Sequence, residues 1–326
     1  MADEPGRLMM GTPWVRGSNQ YRKTPKPSTG ANMESEISLV ATNPYMTLGP
    51  EIVESRRLLL HVLELLADQS EALTVLGAHA VFEQTKTVID LPSMDSTHDA
   101  DLGVTPELLV PTPLIATVMD SAGLEPASPS RPGVWGLKSE HEKPLNERLT
   151  IDLIAPAAVS GAGRRSADVG QHGKRSVSKT VGTELSLIDR QWMTIESFDD
   201  QHAGREGYVA GVAALICAKA YKIHDRLDPA ELVRNPQRFR AKDVTDLFRL
   251  MVAKPGGEVR AIFDQGVATP RISETVAEGM RHLIALNDRD DHRWLADQVV
   301  LQWGNDTITA EQVRHIVDNW FADFGR

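Results

Sequence analysis

Three aspartates could carry chemistry in this chain. Asp99 and Asp101 lie two residues apart in a stretch with apolar neighbours, and Asp152 lies in a second stretch of the same kind. Both stretches are typical of short β-strands, and residues two apart on a strand point to the same face, so Asp99 and Asp101 project together. A third carboxylate from a neighbouring strand would complete a hard oxygen site, which suits Mg²⁺ when it also binds substrate phosphates. The pattern predicts metal-assisted transfer at phosphorus.

Composition limits the classes of protein that remain. The chain has 326 residues, of which 41% are hydrophobic and 25% are charged, as is ordinary for a globular protein of two domains. A net charge of −10 argues against a surface that coats nucleic acid, although a local basic groove stays open. A single cysteine, Cys217, excludes an internal disulfide framework and a cysteine-rich zinc site and favours a cytoplasmic location. We see no apolar run of about 18 residues and no signal-peptide core, so we expect no membrane association.

The elements that must position the aspartates alternate between helix and strand before residue 205. Amphipathic spacing predicts a helix over 50–68, followed by a buried strand at 73–77 that Gly77 closes. A helix from Ala78 to about Gln84 follows. We expect the next elements in this order: an inserted loop at 85–96, the strand of Asp99 and Asp101, a helix over 112–122, a proline-rich loop at 125–133, and strands at 134–138, 148–154, 183–188 and 191–196.

From Gly207 onwards the pattern becomes helical. Helices are predicted over 209–227, 242–252, 271–287 and 292–303, and a final helix opens with a capping box that starts at Thr309. The sequence therefore predicts an α+β fold with mixed strands. We divide it into a disordered or loosely docked tail over residues 1–40, an α/β domain over 41–205 and a helical domain over 206–326.

Residues 160–180 form a polar, glycine-rich and basic segment, which we expect to be a long loop. Loops of this length without structure of their own are usually functional or disordered. The segment is either a solvated linker or a flexible contact for an acceptor nucleic acid. Its five cations are Arg164, Arg165, Lys174, Arg175 and Lys179.

The joint order of these features resembles the nucleotidyltransferase fold of polymerase-β type. That fold has a strand, a glycine turn, a helix, an Asp-x-Asp strand and a third aspartate, which match Gly77-Ala78, Asp99, Asp101 and Asp152. The resemblance implies that Gly77 and Ala78 open a turn whose N–H groups face a triphosphate. It implies that Asp99 and Asp101 hold two Mg²⁺ ions, and that Asp152 is a third ligand or a base.

The second half of the chain is similar to the Lys…Arg…Lys-Asp-x-x-Asp signature of the AbiEii/AbiGii-type toxin nucleotidyltransferase family. Residues 218–226 carry Lys219 and Lys222, and Lys242 is followed by Asp243 and Asp246. The resemblance covers roughly residues 70–250. It implies that Lys219, or Lys222 in its place, contacts the triphosphate, and that Asp243 and Asp246 complete the nucleotide site. Simple pairing on the helix surface, such as Asp243 with Arg226, is the structural alternative.

The family resemblance implies an activity and partners. A member of this family would transfer a nucleoside monophosphate from an NTP to an acceptor hydroxyl of RNA, with tRNA 3′ ends as a known acceptor class. It would act as the toxin of a toxin–antitoxin system, with an antitoxin protein as partner. Two other functions stay open: a catalytically degenerate binding protein, because Ala78 replaces the usual glycine or serine and the 85–96 insertion is long, and a metal-dependent phosphodiesterase.

Overall fold

A mixed β-sheet forms the centre of the fold in the computed structural model, which describes residues 48–88, 91–92 and 97–325. Within these residues the sheet runs in the order β3-β4-β5-β2-β1-β8-β7, and β6 pairs with β5 outside this path. The strands are β1 (Leu73–Leu76), β2 (Asp99–Val104), β3 (Leu124–Pro126), β4 (Val134–Leu137), β5 (Thr150–Pro156), β6 (Ser178–Thr180), β7 (Arg190–Ile195) and β8 (Arg205–Ala210).

Helices precede, interrupt and follow the sheet strands. They are α1 (Pro50–Leu65), α2 (Gly77–Thr85), α3 (Ile115–Ser121), α4 (Val212–Arg226), α5 (Pro229–Arg234), α6 (Lys242–Ala253), α7 (Gly256–Ala268), α8 (Ser273–Asn287), α9 (Trp294–Trp303) and α10 (Ala310–Asp323). The predicted capping box of α10 is confirmed, because the Thr309 side chain accepts from the backbone of Gln312. The α+β class with a mixed sheet is also confirmed.

Among the described residues, no helix is both long and apolar enough to cross a membrane.

Strand β2 is the element that brings the acidic residues together. It pairs antiparallel with β1, where Leu76 lies opposite Asp101. It pairs parallel with β5, where Asp101 lies opposite Asp152. Because opposite residues of paired strands share one face of the sheet, the side chains of Asp101 and Asp152 are neighbours.

A hydrophobic core connects the sheet to the helices that follow it. Buried side chains such as Leu102 and Leu153 from the sheet belong to the same cluster as Ile216 of α4, Leu247 of α6 and Val276 of α8. Burying such side chains supplies most of the stabilising free energy, at about 25 cal/mol per Å². The described residues from 48 onwards therefore pack as one compact unit, and the division near residue 205 stays a prediction.

Two sequence predictions about elements near the site are wrong. Residues 183–188 are not a strand, because Glu184 accepts hydrogen bonds from the backbone N–H groups of Gly182 and Ala158, at 2.7 and 3.4 Å, and closes a 3₁₀ turn. The predicted helix over 209–227 begins only at Val212, because the preceding residues form β8. This strand pairs parallel with β1 and antiparallel with β7, partners that are distant in sequence.

The proline-rich stretch 125–133 and the basic segment are also more ordered than predicted. Residues 124–126 form β3, and 178–180 form β6, which pairs parallel with β5. Val169 and Val177 of the basic segment are buried, and the Lys179 ammonium donates to the carbonyl of Gly161 at 2.6 Å. The prediction of a structureless loop over 160–180 is therefore wrong for its final residues. The predicted tail, and residues 89–90 and 93–96 of the predicted insertion, lie outside the described residues.

Candidate active site

A cavity of about 780 Å³ lies between the ends of the central strands and helix α4. Asp99, Asp101 and Asp152 all line it, so the structure brings the three predicted carboxylates to one cleft. Of the other predicted site residues, Gly77, Lys219 and Lys222 also line the cavity. Three predicted residues are not among its lining residues: Ala78, Asp243 and Asp246.

Asp99 is the carboxylate with the best compensated charge. The Thr97 hydroxyl donates to its Oδ1 at 2.5 Å. Burial opposes its ionisation, but this hydrogen bond and the charges of Lys242 and Lys222 outweigh burial and hold the pKa of Asp99 below its ordinary value. Asp99 is therefore ionised at neutral pH.

Asp101 and Asp152 are poorly compensated. Burial, with repulsion from Asp99, raises the pKa of Asp101 to about 6. Burial, with repulsion from Asp101 and Asp99, raises the pKa of Asp152 to about 8, although Arg131 and Lys222 act in the opposite direction. The Oδ1 atom of Asp152 is buried and has no hydrogen-bond partner within the described part of the chain. A positive charge placed between these carboxylates would remove this cost.

Gly77 is the residue that lets the chain pass close to Asp101. Its φ of +61° lies in the left-handed region. A Cβ at this position would lie 1.9 Å from Oδ2 of Asp101. Helix α2 starts at this residue, so the positive end of the helix and its free N–H groups begin beside the carboxylates. The neighbouring Ala78 keeps its backbone N–H.

A row of three cations on α4 faces the carboxylates. Lys219, Lys222 and Arg226 line the cavity, and their spacing of three and four residues places them on one face of the helix. Asp243 of α6 is fully buried and pairs with all three: its Oδ1 lies 3.2 Å from the Lys219 ammonium and 3.4 Å from that of Lys222, and its Oδ2 accepts from Arg226. Asp246 also accepts from Lys219. The pairing of Asp243 with Arg226, which the sequence offered as the structural alternative to nucleotide binding, is present.

The two lysines of the row differ in what they can still bind. The Lys219 side chain is 7% exposed and its ammonium is held between two carboxylates. Burial opposes its charge, but Asp246 and Asp243 raise the pKa of Lys219. The Lys222 side chain is 43% exposed, and its ammonium contacts one carboxylate oxygen, Oδ1 of Asp243. The geometry therefore favours Lys222, rather than Lys219, as the ammonium that reaches a ligand, with Asp243 positioning the row.

Arg131 is a cavity residue that was not among the predicted site residues. It lies in the turn between β3 and β4 and lines the cavity, and its charge lowers the pKa of Asp152. Val134, at the start of β4, lies opposite Asp152 in the sheet. The sequence shows only a single arginine in a proline-rich turn. This arginine can be related to Asp152 only once β4 is known to pair with β5.

The donor set fits a hard divalent cation that shares its coordination sphere with a ligand. In the described ranges, no group of three or more His, Cys, Asp or Glu side chains is arranged to hold a metal ion by itself. Mg²⁺ commonly uses one or two carboxylates and completes its shell with water and substrate phosphates. Asp99 and Asp101, which project from the same strand into a cavity opposite a cation row, suit that arrangement.

We compared the chain with protein-family models and with curated proteins. A scan against protein-family models finds no match, and a search of curated proteins finds none. The residues of the cavity and their geometry are therefore the basis for assigning a function.

Proposed function

We propose that this protein is a Mg²⁺-dependent nucleotidyltransferase, similar to the AbiEii/AbiGii-type toxins, that transfers a nucleoside monophosphate from an NTP to an acceptor hydroxyl. One observation carries the proposal: three carboxylates and a row of three cations line a single cavity. Transfer at phosphorus depends mainly on positioning and on neutralising charge, which is what such an arrangement provides.

The phosphate end of the NTP is assigned to α4 and the start of α2. Lys222 and Arg226 are the more exposed cations of the row, and both pair with Asp243. The backbone N–H groups at the start of α2, where Gly77 lines the cavity, are the second set of donors, because a helix N-terminus binds anions. These groups would hold the β- and γ-phosphates, which leave as pyrophosphate.

The carboxylates have separate roles in the proposal. Asp99 and Asp101 would hold Mg²⁺, which when bound neutralises charge on the triphosphate and on the leaving pyrophosphate. Asp152 would accept the proton of the acceptor hydroxyl at Oδ1, the oxygen that lacks a hydrogen-bond partner. The acceptor oxygen then bonds to the α-phosphorus as the bond to pyrophosphate breaks.

RNA is the acceptor that we favour. The basic segment 160–180 carries five cations and one acidic residue, Asp168, in a chain of net charge −10. Arg175 of this segment donates to the carbonyl of Pro129, in the same turn as Arg131 of the cavity wall. A phosphate backbone bound to the segment would therefore lead towards Asp152. A cytoplasmic location and an antitoxin partner belong to the same proposal.

Incorporation of label tests the proposed function. Purified protein is incubated with Mg²⁺, total RNA and each α-³²P-labelled NTP in turn. We expect labelled RNA and free pyrophosphate from the wild type, loss of both with Asp101→Asn, and wild-type activity with Asp297→Asn, an exposed position on α9. Label found only in free nucleoside monophosphate, or incorporation that persists in Asp101→Asn, would contradict the proposal.

A further inference from the structure

One part of the cavity wall is lined by rings that the proposed chemistry does not use. Tyr221 and His224 lie on α4, and His282 lies on α8. The imidazole rings of His224 and His282 stack, with centroids 3.8 Å apart and planes inclined by 23°. The ring of Tyr221 meets His282 edge-on, at 4.9 Å. The three side chains form a continuous aromatic surface.

Close packing of α4 and α8 holds this surface in place. A Cβ on Gly279 of α8 would lie 2.5 Å from Sγ of Cys217 and 3.1 Å from the ring of Tyr221, so the two helices approach closely at this glycine. His282 lies one turn after Gly279 and is thereby brought against His224. Tyr221 is fixed as well, because its hydroxyl donates to the carbonyl of Thr275 at 2.8 Å.

His224 is the member of this surface that can accept a ligand. Tyr221 is covered by Gly182, whose Cβ would lie 2.7 Å from its ring, and His282 has a side chain that is only 13% exposed. His224 is exposed and lines the cavity, and one face of its ring lies against His282. A flat ring can therefore stack on the imidazole pair from the side of His224.

The aromatic surface and the cation row line the same cavity. His224 lies two residues after Lys222 and two before Arg226 on α4, about 3 Å from each along the helix axis but about 160° away around it, so the rings and the cations line the cavity from different sides of the helix. A ligand that bridges both surfaces must carry a flat ring and negative charge within one molecule. Nucleotides have this combination, and every nucleobase offers a π-face for stacking.

We propose that the His224–His282 stack is the platform on which the nucleobase of the NTP lies, with His224 as the residue that touches the base. This inference rests on the proposed function, because it identifies the ring-binding part of the same cavity. The same chemistry could come from the terminal base of the acceptor strand, and the experiment separates these two sources.

The test compares a ligand that has a base with one that has none. Calorimetry measures the Kd of a non-hydrolysable NTP analogue and of inorganic tripolyphosphate, both with Mg²⁺, for the wild type, His224→Ala, His224→Phe and the control His315→Ala on α10. Stacking predicts that His224→Ala weakens analogue binding by roughly 5- to 150-fold. His224→Phe restores it, tripolyphosphate binding does not change, and His315→Ala behaves as the wild type.

The other outcomes overturn the inference in distinguishable ways. Equal analogue binding by His224→Ala and the wild type removes the platform but leaves the proposed function intact. A raised KM for the acceptor RNA, with analogue binding unchanged, assigns the rings to the acceptor base instead. Equal weakening of tripolyphosphate and analogue shows a general disturbance of the cavity. Absence of any NTP binding by the wild type overturns the proposed function together with the inference.

Discussion

Replacement of Gly77 by alanine tests how closely the chain approaches Asp101. Two costs are expected. An alanine at a φ of +61° costs about 1–2 kcal/mol of folding free energy. Its Cβ would lie 1.9 Å from Oδ2 and 2.8 Å from Cγ of Asp101, so the carboxylate or the turn must move, at a cost of about 1–3 kcal/mol. We expect Gly77→Ala to lower the free energy of unfolding by roughly 3 kcal/mol.

Gly170 provides a matched control for the backbone cost. Its φ is +57°, and a Cβ placed there meets nothing within 4 Å. Urea unfolding followed by circular dichroism, in buffer without divalent cations, should therefore show a loss of only about 1 kcal/mol for Gly170→Ala. In an Asp101→Ala background, the cost of Gly77→Ala should fall towards the same value, because the clashing carboxylate is absent. Equal destabilisation by the two glycine replacements in the wild-type background would show that Asp101 does not restrict the side chain at position 77.

Two further predictions concern charge. Because the pKa of Asp152 is raised to about 8 from an ordinary 3.8, the folded protein binds more protons than the unfolded chain between these values, and metal-free stability falls as pH rises. Asp152→Asn should thus gain stability relative to the wild type from pH 5 to 8.5, which thermal unfolding in EDTA can measure; a relative loss would contradict the account. Asp243→Asn should lower the free energy of unfolding by about 3 kcal/mol, because it leaves three cations without their shared partner. Asp246→Asn, which removes the ion pair with Lys219 but leaves Lys222 and Arg226 paired with Asp243, should cost less, and the reverse order in denaturant titrations would show that Asp243 does not organise the row.

Much of the acidic half of the site could be predicted because it depends on local periodicity. Alternation along a strand is enough to place Asp99 and Asp101 on one side, and the structure has both on β2 and in the cavity. The register that sets Asp152 opposite Asp101 is not local. The sequence predicted only that a third carboxylate would come from a neighbouring strand, and the pairing of β2 with β5 supplies the register.

The features that the sequence did not predict depend on contacts between distant parts of the chain. Strand β8 was missed because its pairing with β1 cannot be read from its own residues. A strand was predicted over 183–188, but the Glu184 carboxylate closes a turn there instead. His224 and His282 meet only because Gly279 allows α4 and α8 to approach closely.

The proposal that Asp99 and Asp101 hold a metal ion beside the triphosphate is tested most simply by locating both ligands in a crystal. Crystals of the protein grown with Mn²⁺, which uses the same ligand types as Mg²⁺, and a non-hydrolysable NTP analogue would show the ion by anomalous scattering. We expect an anomalous peak at coordination distance, about 2.1 Å for Mg²⁺, from carboxylate oxygens of Asp99 and Asp101, with the triphosphate between the ion and Lys222. A triphosphate bound outside this cavity, or bound within it with no metal at either aspartate, would rule out the proposed site.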